Sequence, residues 1–297
     1  MSKFQNPIKW SGSKSSLSKQ IVEQIPYSVN GTYYEPFCGS CSVLFEILTN
    51  LKQGYLRNRI TKYQCSDINK DLIDLWNAIK EKPLYLHHWY SSFWDNFNYN
   101  YSSIPLPTDK LYQNRKDNFN VVRGLYNRID GDWSEQKYVL LLFLTRTAFN
   151  GLLRFNNKGE YNSTCHFSRP GIHPDKMKEI LFNASDILNA FNVEFKHINY
   201  VDIKPEENDF VFLDPPYSDS DKKKMYYGTI DERELIDYCN NLPCSYGLTY
   251  NGDRGNNKGK RLALNDTKEV LLEAKNSSYS KMNGEIIKVK EILYIKD

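Results

Sequence analysis

One run concentrates the chemistry: Phe210-Val211-Phe212-Leu213, then Asp214-Pro215-Pro216-Tyr217. The apolar residues predict a buried strand. Prolines cannot extend a sheet, so the chain must turn out where that strand ends. The rigid turn holds the Asp214 carboxylate and the Asp214 and Pro215 carbonyls as fixed acceptors, and Tyr217 sets a flat ring beside them. Such a set suits a planar ring that bears an amino group, with its NH2 hydrogens on the oxygens and its face on the tyrosine. Pro-Pro alone would mark only a turn.

A second run, Glu35-Pro36-Phe37-Cys38-Gly39-Ser40-Cys41, is a turn of small residues that lets a ligand approach the backbone. Asp67 is the acidic end of the next expected strand, Tyr63–Asp67, where a carboxylate can accept both hydroxyls of a ribose. Its alternative role is to cap the following helix, a role open also to Asn69. Lys9-Trp10-Ser11-Gly12-Ser13-Lys14 resembles a phosphate loop only superficially, because Ser13 stands where that loop needs its second glycine. Nucleotide hydrolysis is therefore disfavoured.

These residues need strand ends to carry them. Thr32–Phe37 reads as a strand, Ser42–Leu48 as a helix, and Tyr63–Asp67 as a strand. Ile68, Leu72, Leu75, Trp76 and Ile79 form the stripe of a helix packed on a sheet. From about residue 80 to 172 the character changes. Trp89, Tyr90, Phe93, Trp94, Phe97, Tyr99 and Tyr101 cluster, a strong helix spans Gln136–Phe149, and Leu152–Phe155 and Tyr161–Thr164 flank an Asn156–Gly159 turn as a hairpin. A helix at Pro174–Ala190 and strands at Val193–Ile198, Phe210–Asp214 and Ser245–Tyr250 follow, and Glu285–Lys296 reads as a terminal strand pair. The alternation predicts an α/β fold: a Rossmann-like, mainly parallel, doubly wound sheet formed by residues 1–79 and 173–297, with a mostly helical insertion at 80–172 that carries the hairpin. Ligands of such a sheet sit at the carboxyl ends of its strands, where these motifs fall.

The 297 residues allow one large domain or a core with an inserted subdomain. With 40% hydrophobic residues the chain can bury a core, and its net charge of +3 permits nucleic-acid binding through a local patch without arguing for it. Aromatic residues reach 14%, enough to supply stacking surfaces besides a core. The longest apolar run, Tyr138–Leu144, is far below the ~20 residues of a membrane span. The start, Met1–Lys9, lacks an apolar signal core, so a cytoplasmic protein is expected. Cys38 and Cys41 make a lone CxxC inside the turn, and Cys65, Cys165, Cys239 and Cys244 are poorly spaced for zinc, so no metal site is expected. The run Lys222-Lys223-Lys224 reads as a solvated or phosphate-contacting loop.

Taken together, Lys9–Lys14, Glu35–Cys41, Ser66–Leu75, Phe149–Asn162, Tyr200–Ile203 and Phe210–Tyr217 make the chain similar to the Dam-type, alpha-group DNA adenine methyltransferases, in that family's order and over nearly the whole length. The resemblance implies S-adenosylmethionine as cofactor and double-stranded DNA as substrate, with the methyl group going to N6 of a flipped adenine. It implies that Trp10, Lys14, Glu35, Phe37, Gly39, Asp67, Ile68, Asp202, Ile203 and Asp214 surround the cofactor. Asp214, Pro215, Pro216 and Tyr217 would hold the target base, and Asn150, Leu152, Arg154 and Asn162 would contact DNA. The chain departs from the family pattern at Cys41 and Ser13, where glycine is usual, and at Thr164, where members specific for GATC commonly have proline. A monomer or weak dimer is expected, and a cognate restriction endonuclease encoded nearby is a partner the resemblance allows.

Three rivals use parts of the same pattern. A carbon-5 cytosine enzyme needs a cysteine nucleophile after proline, and Pro243-Cys244 is such a pair, but it opens a strand and would leave Asp214–Tyr217 without a task. Methylation of cytosine's amine uses the same acceptor logic, and RNA or protein-glutamine methylation uses related tetrapeptides that usually begin with Asn. A catalytically inactive DNA-binding module would not need Lys14, Asp67 and Asp214–Tyr217 intact.

Overall fold

The computed structural model describes residues 4–55, 59–99, 106–129, 136–156, 158–216, 230–254, 259–273 and 289–297. Tyr217, Asn157, Lys222–Lys224 and residues 285–288 of the expected tail pair lie outside the described residues. The strands are β1 (Thr32–Pro36), β2 (Lys62–Asp67), β3 (Val193–His197), β4 (Phe210–Leu213), β5 (Ser245–Arg254), β6 (Lys268–Glu273) and β7 (Val289–Lys296). The helices are α1 (Ser18–Val22), α2 (Ser42–Lys52), α3 (Lys70–Glu81), α4 (Pro83–Tyr99), α5 (Thr108–Arg128), α6 (Lys137–Thr147), α7 (Pro174–Ala190) and α8 (Glu232–Asn240).

The chain divides into two compact units. One holds all seven strands with α1, α2 and α8; its sheet has the order β3-β2-β1-β4-β5-β7-β6. The first five positions are mutually parallel, whereas β7 runs antiparallel to both β5 and β6. The strand order reverses between β1 and β4, and a crevice opens at the carboxyl ends of strands on either side of such a switch point. Side chains alternate between faces. On one face Tyr33 stacks on Phe210, ring centroids 6.2 Å apart. On the other, Val211, Leu213, Tyr246, Leu248 and Tyr250 cluster with Leu235 and Cys239 of α8. Buried Asp209 accepts from the Thr32 amide at 2.6 Å and the Glu206 amide at 2.7 Å, tying the start of β1 to the turn before β4.

The tail differs from expectation. It supplies the single described strand β7, and the partners are β5 and a strand the sequence reading passed over, β6. Lys268–Glu273 mixes charged and apolar residues without clean alternation, which hides a strand at the sheet's edge.

The second unit is helical and comprises Asn69–Ala190 with the N-terminal residues up to Gly12. It extends past the expected 80–172 at both ends because α3 and α7 pack on each other, α3 also on α6 and α7 also on α4. Asn69 caps α3, its side chain accepting from the Leu72 amide at 3.2 Å. Helix α6 is apolar on all sides, from Tyr138 to Leu144, and such a helix must be central; it packs against α3, α4 and α5. Tyr90, Trp94 and Phe97 of α4 are buried, with Phe97 edge-on to Phe143 at 5.5 Å, so these aromatics form core and not a stacking surface. The helix expected to reach Phe149 stops at Thr147, and the chain continues into a 3-10 turn at Phe149–Gly151.

Candidate active site

At the end of β1 the backbone is left-handed at Phe37 (φ 62°), Gly39 (φ 45°) and Cys41 (φ 50°). For side chains other than glycine that conformation costs roughly 1–2 kcal/mol per residue. The left-handed Cys41 explains why glycine suits this position in the family, and its thiol sits fully buried beneath the turn. Burial pushes the Cys38 thiol up to about 12 and raises the Cys41 thiol well above its usual value, so both stay protonated. Glu35 lies under the same turn. Its Oε2 accepts from the Tyr33 hydroxyl at 2.8 Å and from the Leu44 amide, in the first turn of α2, at 2.9 Å. Burial pushes this carboxyl up to about 8 despite those two donors, and the charge of Asp214 adds to the rise. Glu35 thus fastens the turn to the first turn of α2.

Three hydroxyls pin the approach to α1 onto the same turn. Ser13 and Ser42 lie 2.8 Å apart, Ser40 and Ser42 2.8 Å, and Ser40 donates to Ser13 at 2.9 Å. Ser13, the departure from the usual glycine, is what closes this triangle. The next residue, Lys14, is only 6% exposed, and its Nζ lies 2.7 Å from Asp214 Oδ1 and 3.3 Å from Glu291 Oε2.

Asp214 emerges from β4 with Pro215 buried behind it. The same Oδ1 that meets Lys14 accepts from Thr249 Oγ1 at 2.7 Å. Leu213 O is also within 3.3 Å of that hydroxyl, but its single proton goes to the shorter contact with the carboxylate. Two donors therefore occupy Oδ1, and among the described residues none is placed on Oδ2. Thr249 on β5 and Glu291 on β7 were not among the expected site residues. The sequence carries little signal for either, since β5 also holds Asn251 and Asp253 and Glu291 follows Lys290; their roles depend on strand order, which places β5 beside β4 and β7 beside β5.

Asp67 ends β2 half-buried, its Oδ2 3.4 Å from the Gly39 amide, and so shares the rim of the turn. Ile68 next to it is exposed, and the Ile68 carbonyl meets His197 Nε2 at 3.0 Å. Phe37 lies against Tyr200, ring centroids 5.0 Å apart, in front of the 3-10 turn Tyr200–Asp202. Asp202 is exposed, whereas Ile203 is buried and offers a ligand little surface. Trp10 belongs to the helical unit.

That unit also carries Asn150, Leu152, Arg154 and Asn162. Asn150 is exposed and left-handed (φ 55°), as is Gly151 (φ 66°), where a Cβ would stand 2.6 Å from Lys9 Cγ. The expected reversal is present. Asn156 accepts from the Lys158 and Glu160 amides, and Gly159 (φ 77°) completes the turn. It has no regular strands, only isolated bridges at Phe155–Tyr161 and Ala148–Cys165. The Arg154 amide donates to Ser163 Oγ at 2.9 Å and its carbonyl accepts from the Asn162 amide at 2.8 Å. Its guanidinium is exposed and bonds no described residue, so it does not cap the reversal.

The profile of the D12 class N6 adenine-specific DNA methyltransferases matches residues 10–279. The chain belongs to that family. A Type II methyltransferase of Methanocaldococcus jannaschii, M.MjaIII, is 31% identical over 225 residues, 74% of this chain and 71% of the relative. A DNA adenine methylase of Vibrio cholerae is 27% identical over 71% of this chain and 64% of its own length, and one of Haemophilus influenzae is 23% identical over 97% and 92%. This D12 enzyme is an adenine-specific DNA methyltransferase, and double-stranded DNA is its substrate. The cytosine carbon-5 rival also fails on geometry. Cys244 precedes the start of β5, well before Thr249 in mid-strand, is buried, and has its thiol pushed up to about 11. Among the described residues no helix is long and apolar enough to cross a membrane.

Proposed function

We propose that this D12 enzyme uses S-adenosylmethionine and holds a flipped adenine at Asp214–Tyr217 for methylation at N6. The single observation that carries this is the pairing of Asp214 Oδ1 with both Lys14 and Thr249. An orientation locked on one oxygen presents the other to an amine. Adenine's exocyclic nitrogen is a poor nucleophile because its lone pair is delocalised into the ring. Donating its hydrogens to Asp214 Oδ2 and the Pro215 carbonyl favours a pyramidal nitrogen with an aimed lone pair. Tyr217 would replace part of the stacking lost when the base leaves the duplex. No protein nucleophile is needed, in keeping with the protonated thiols beneath the turn.

The residues present fit the cofactor. The left-handed turn sets Gly39, which has no side chain, beside Asp67, Asp67 offers a carboxylate to a ribose diol, and Phe37 with Ile68 offers apolar walls. When bound, S-adenosylmethionine supplies a methyl group already activated on a sulfonium. Asp67→Ala should weaken cofactor binding by about 1.5–3 kcal/mol, the value of a hydrogen bond to a charged group; unchanged affinity in calorimetry would remove Asp67 from the site. In the helical unit we read the stretch 80–172 as the target-recognition part, with Asn150, Leu152, Arg154 and Asn162 on DNA. We also read the protein as cytoplasmic and monomeric or weakly dimeric. The relatives named Type II methyltransferases support a nearby restriction endonuclease as partner.

Methylation-aware sequencing of DNA from cells expressing the chain tests the reading, with Asp214→Ala as control. N6-methyladenine in one short motif, absent from the control, is expected; methylated cytosine, or no mark from the wild type, would overturn it.

A further inference from the structure

The recognition segment poses a problem of mechanics. Its two bridges and few ladder bonds are too sparse to set the register of an irregular chain reversal. The missing constraint comes from helix α5. Asn127 Nδ2 donates to the Tyr161 carbonyl at 2.9 Å, and Asn127 Oδ1 accepts from the Tyr161 amide at 2.8 Å. One side-chain amide thus pairs with both backbone groups of one residue, as a neighbouring strand would. One turn earlier, Arg123 NH1 donates to the Ser163 carbonyl at 3.0 Å. Two turns before that, Arg115 NH1 donates to the Phe167 carbonyl at 3.1 Å, while its Nε and NH2 grip Asn98 Oδ1 at 3.1 and 2.6 Å. Residues 115, 123 and 127 share one stripe of the helix. Their targets, residues 161, 163 and 167, run along one stretch of the segment.

The constraint reaches Arg154 in one further step. Ser163 Oγ donates to the Leu152 carbonyl at 2.5 Å and accepts from the Arg154 amide at 2.9 Å. So α5 fixes Ser163, and Ser163 fixes the backbone that presents Arg154. Docking of the segment has a separate source. The Tyr161 ring is buried edge-on against Tyr126 at 5.7 Å and Phe155 at 5.8 Å. Removing the polar bonds leaves this apolar anchor in place.

We propose that Asn127 and Arg123 of α5 are positioning residues for sequence recognition, a ruler that sets the register in which Arg154 and Asn162 meet DNA. The inference rests on the reading that the segment contacts DNA. Losing the register degrades discrimination between bases more than turnover, because base contacts need placement within about 0.5 Å, whereas the Asp214 corner is built from the other unit.

The test uses the full chain and a duplex library carrying every single-base change in its methylated motif. Asn127→Leu removes both amide bonds at similar volume. Asn127→Asp keeps the acceptor and loses the donor. Arg123→Met removes the Ser163 bond at a half-exposed position, where no buried hole results, and Arg123→Lys restores one donor. Expected is a loss of about tenfold in the ratio of cognate to near-cognate rates for Asn127→Leu, a smaller loss for Asn127→Asp and Arg123→Met, and recovery in Arg123→Lys. Turnover on saturating cognate DNA should stay within about twofold. Circular dichroism identifies any variant that does not fold, and the conclusion is then taken from the Arg123 pair. An unchanged ratio in the folded variants, or a uniform fall at every base, would overturn the proposal. If Arg154→Ala and Asn162→Ala also leave the preference intact, the recognition reading itself fails; if they alter it, only the ruler does.

Discussion

At the Asp214 corner, the atoms proposed to meet substrate are fixed by ions and strand ends: a nearly buried lysine, a threonine from the adjacent strand, and prolines that end the chain's extension. In the described residues from Phe149 to His166, the backbone is irregular, and a side-chain amide, a hydroxyl and an arginine of α5 hold it from the side, while the side chains of Arg154 and Asn162, proposed to read DNA, are exposed. On the proposed function, the contrast follows from the tasks. An amino group is the same at every target, so its acceptors can be locked by forces too strong to retune. A recognition sequence must be tunable, and a segment pinned through a few exchangeable hydrogen bonds can change its reading without disturbing the chemistry.

Substitutions at four positions would break or sharpen that contrast. Asp214→Ala should abolish methyl transfer with saturating cofactor and leave a folded protein; tritium incorporation near the wild-type rate would sink the assignment. Thr249→Val keeps the shape of a buried residue and removes one donor from Oδ1. A lost bond to a charged group is worth about 1.5–3 kcal/mol, roughly 10–100-fold in kcat. Thr249→Ser should recover most of that, and the sequence preference should not move in either variant; a changed preference would blur the division of labour. Arg154→Ala should do the reverse, relaxing selection at one base pair by about 1–3 kcal/mol while sparing turnover. A uniform decline across all sites would make Arg154 a phosphate contact.

The smallest effect concerns Glu35, whose folded pKa is pushed up to about 8 from 4.5. Between those values the unfolded chain has released a proton that the folded chain keeps. Stability therefore falls as pH rises through that window and levels off above the folded value. Glu35→Gln removes this dependence, so its melting temperature should gain on the wild type between about pH 5 and 8, by a few degrees for each 1 kcal/mol. A gap that is flat with pH would mean that Glu35 is ionised beneath the turn.

What was legible in the residues and what was not divides along one physical line. Asp214-Pro215-Pro216 and the Phe37–Cys41 turn could be read because proline and left-handed backbones act on their immediate neighbours. Thr249 and Glu291 could not, since their partner is chosen by the order of strands across the sheet. The stripes of α3 and α7 announced buried faces without naming what buries them, so the reach of the compact helical unit from Asn69 to Ala190 was not legible. Asn127, in the last turns of a helix, has the look of a residue that merely weakens it.

Strand β7 lies inside the sheet, between β5 and β6, although it follows both in the chain. During synthesis, β5 is complete at Arg254, yet its permanent neighbour ends about forty residues later, at Lys296, on the order of several seconds at roughly 5–20 residues per second. Until then the edge of β5 has no native partner, and β6 has nothing to pair with. Glu291 arrives with that strand and adds its charge beside Lys14, made near the beginning. A chain halted before Val289 would carry Asp214 and Thr249 yet expose a long unpaired edge, which makes the final strand the step that separates a nascent, aggregation-prone sheet from a working one.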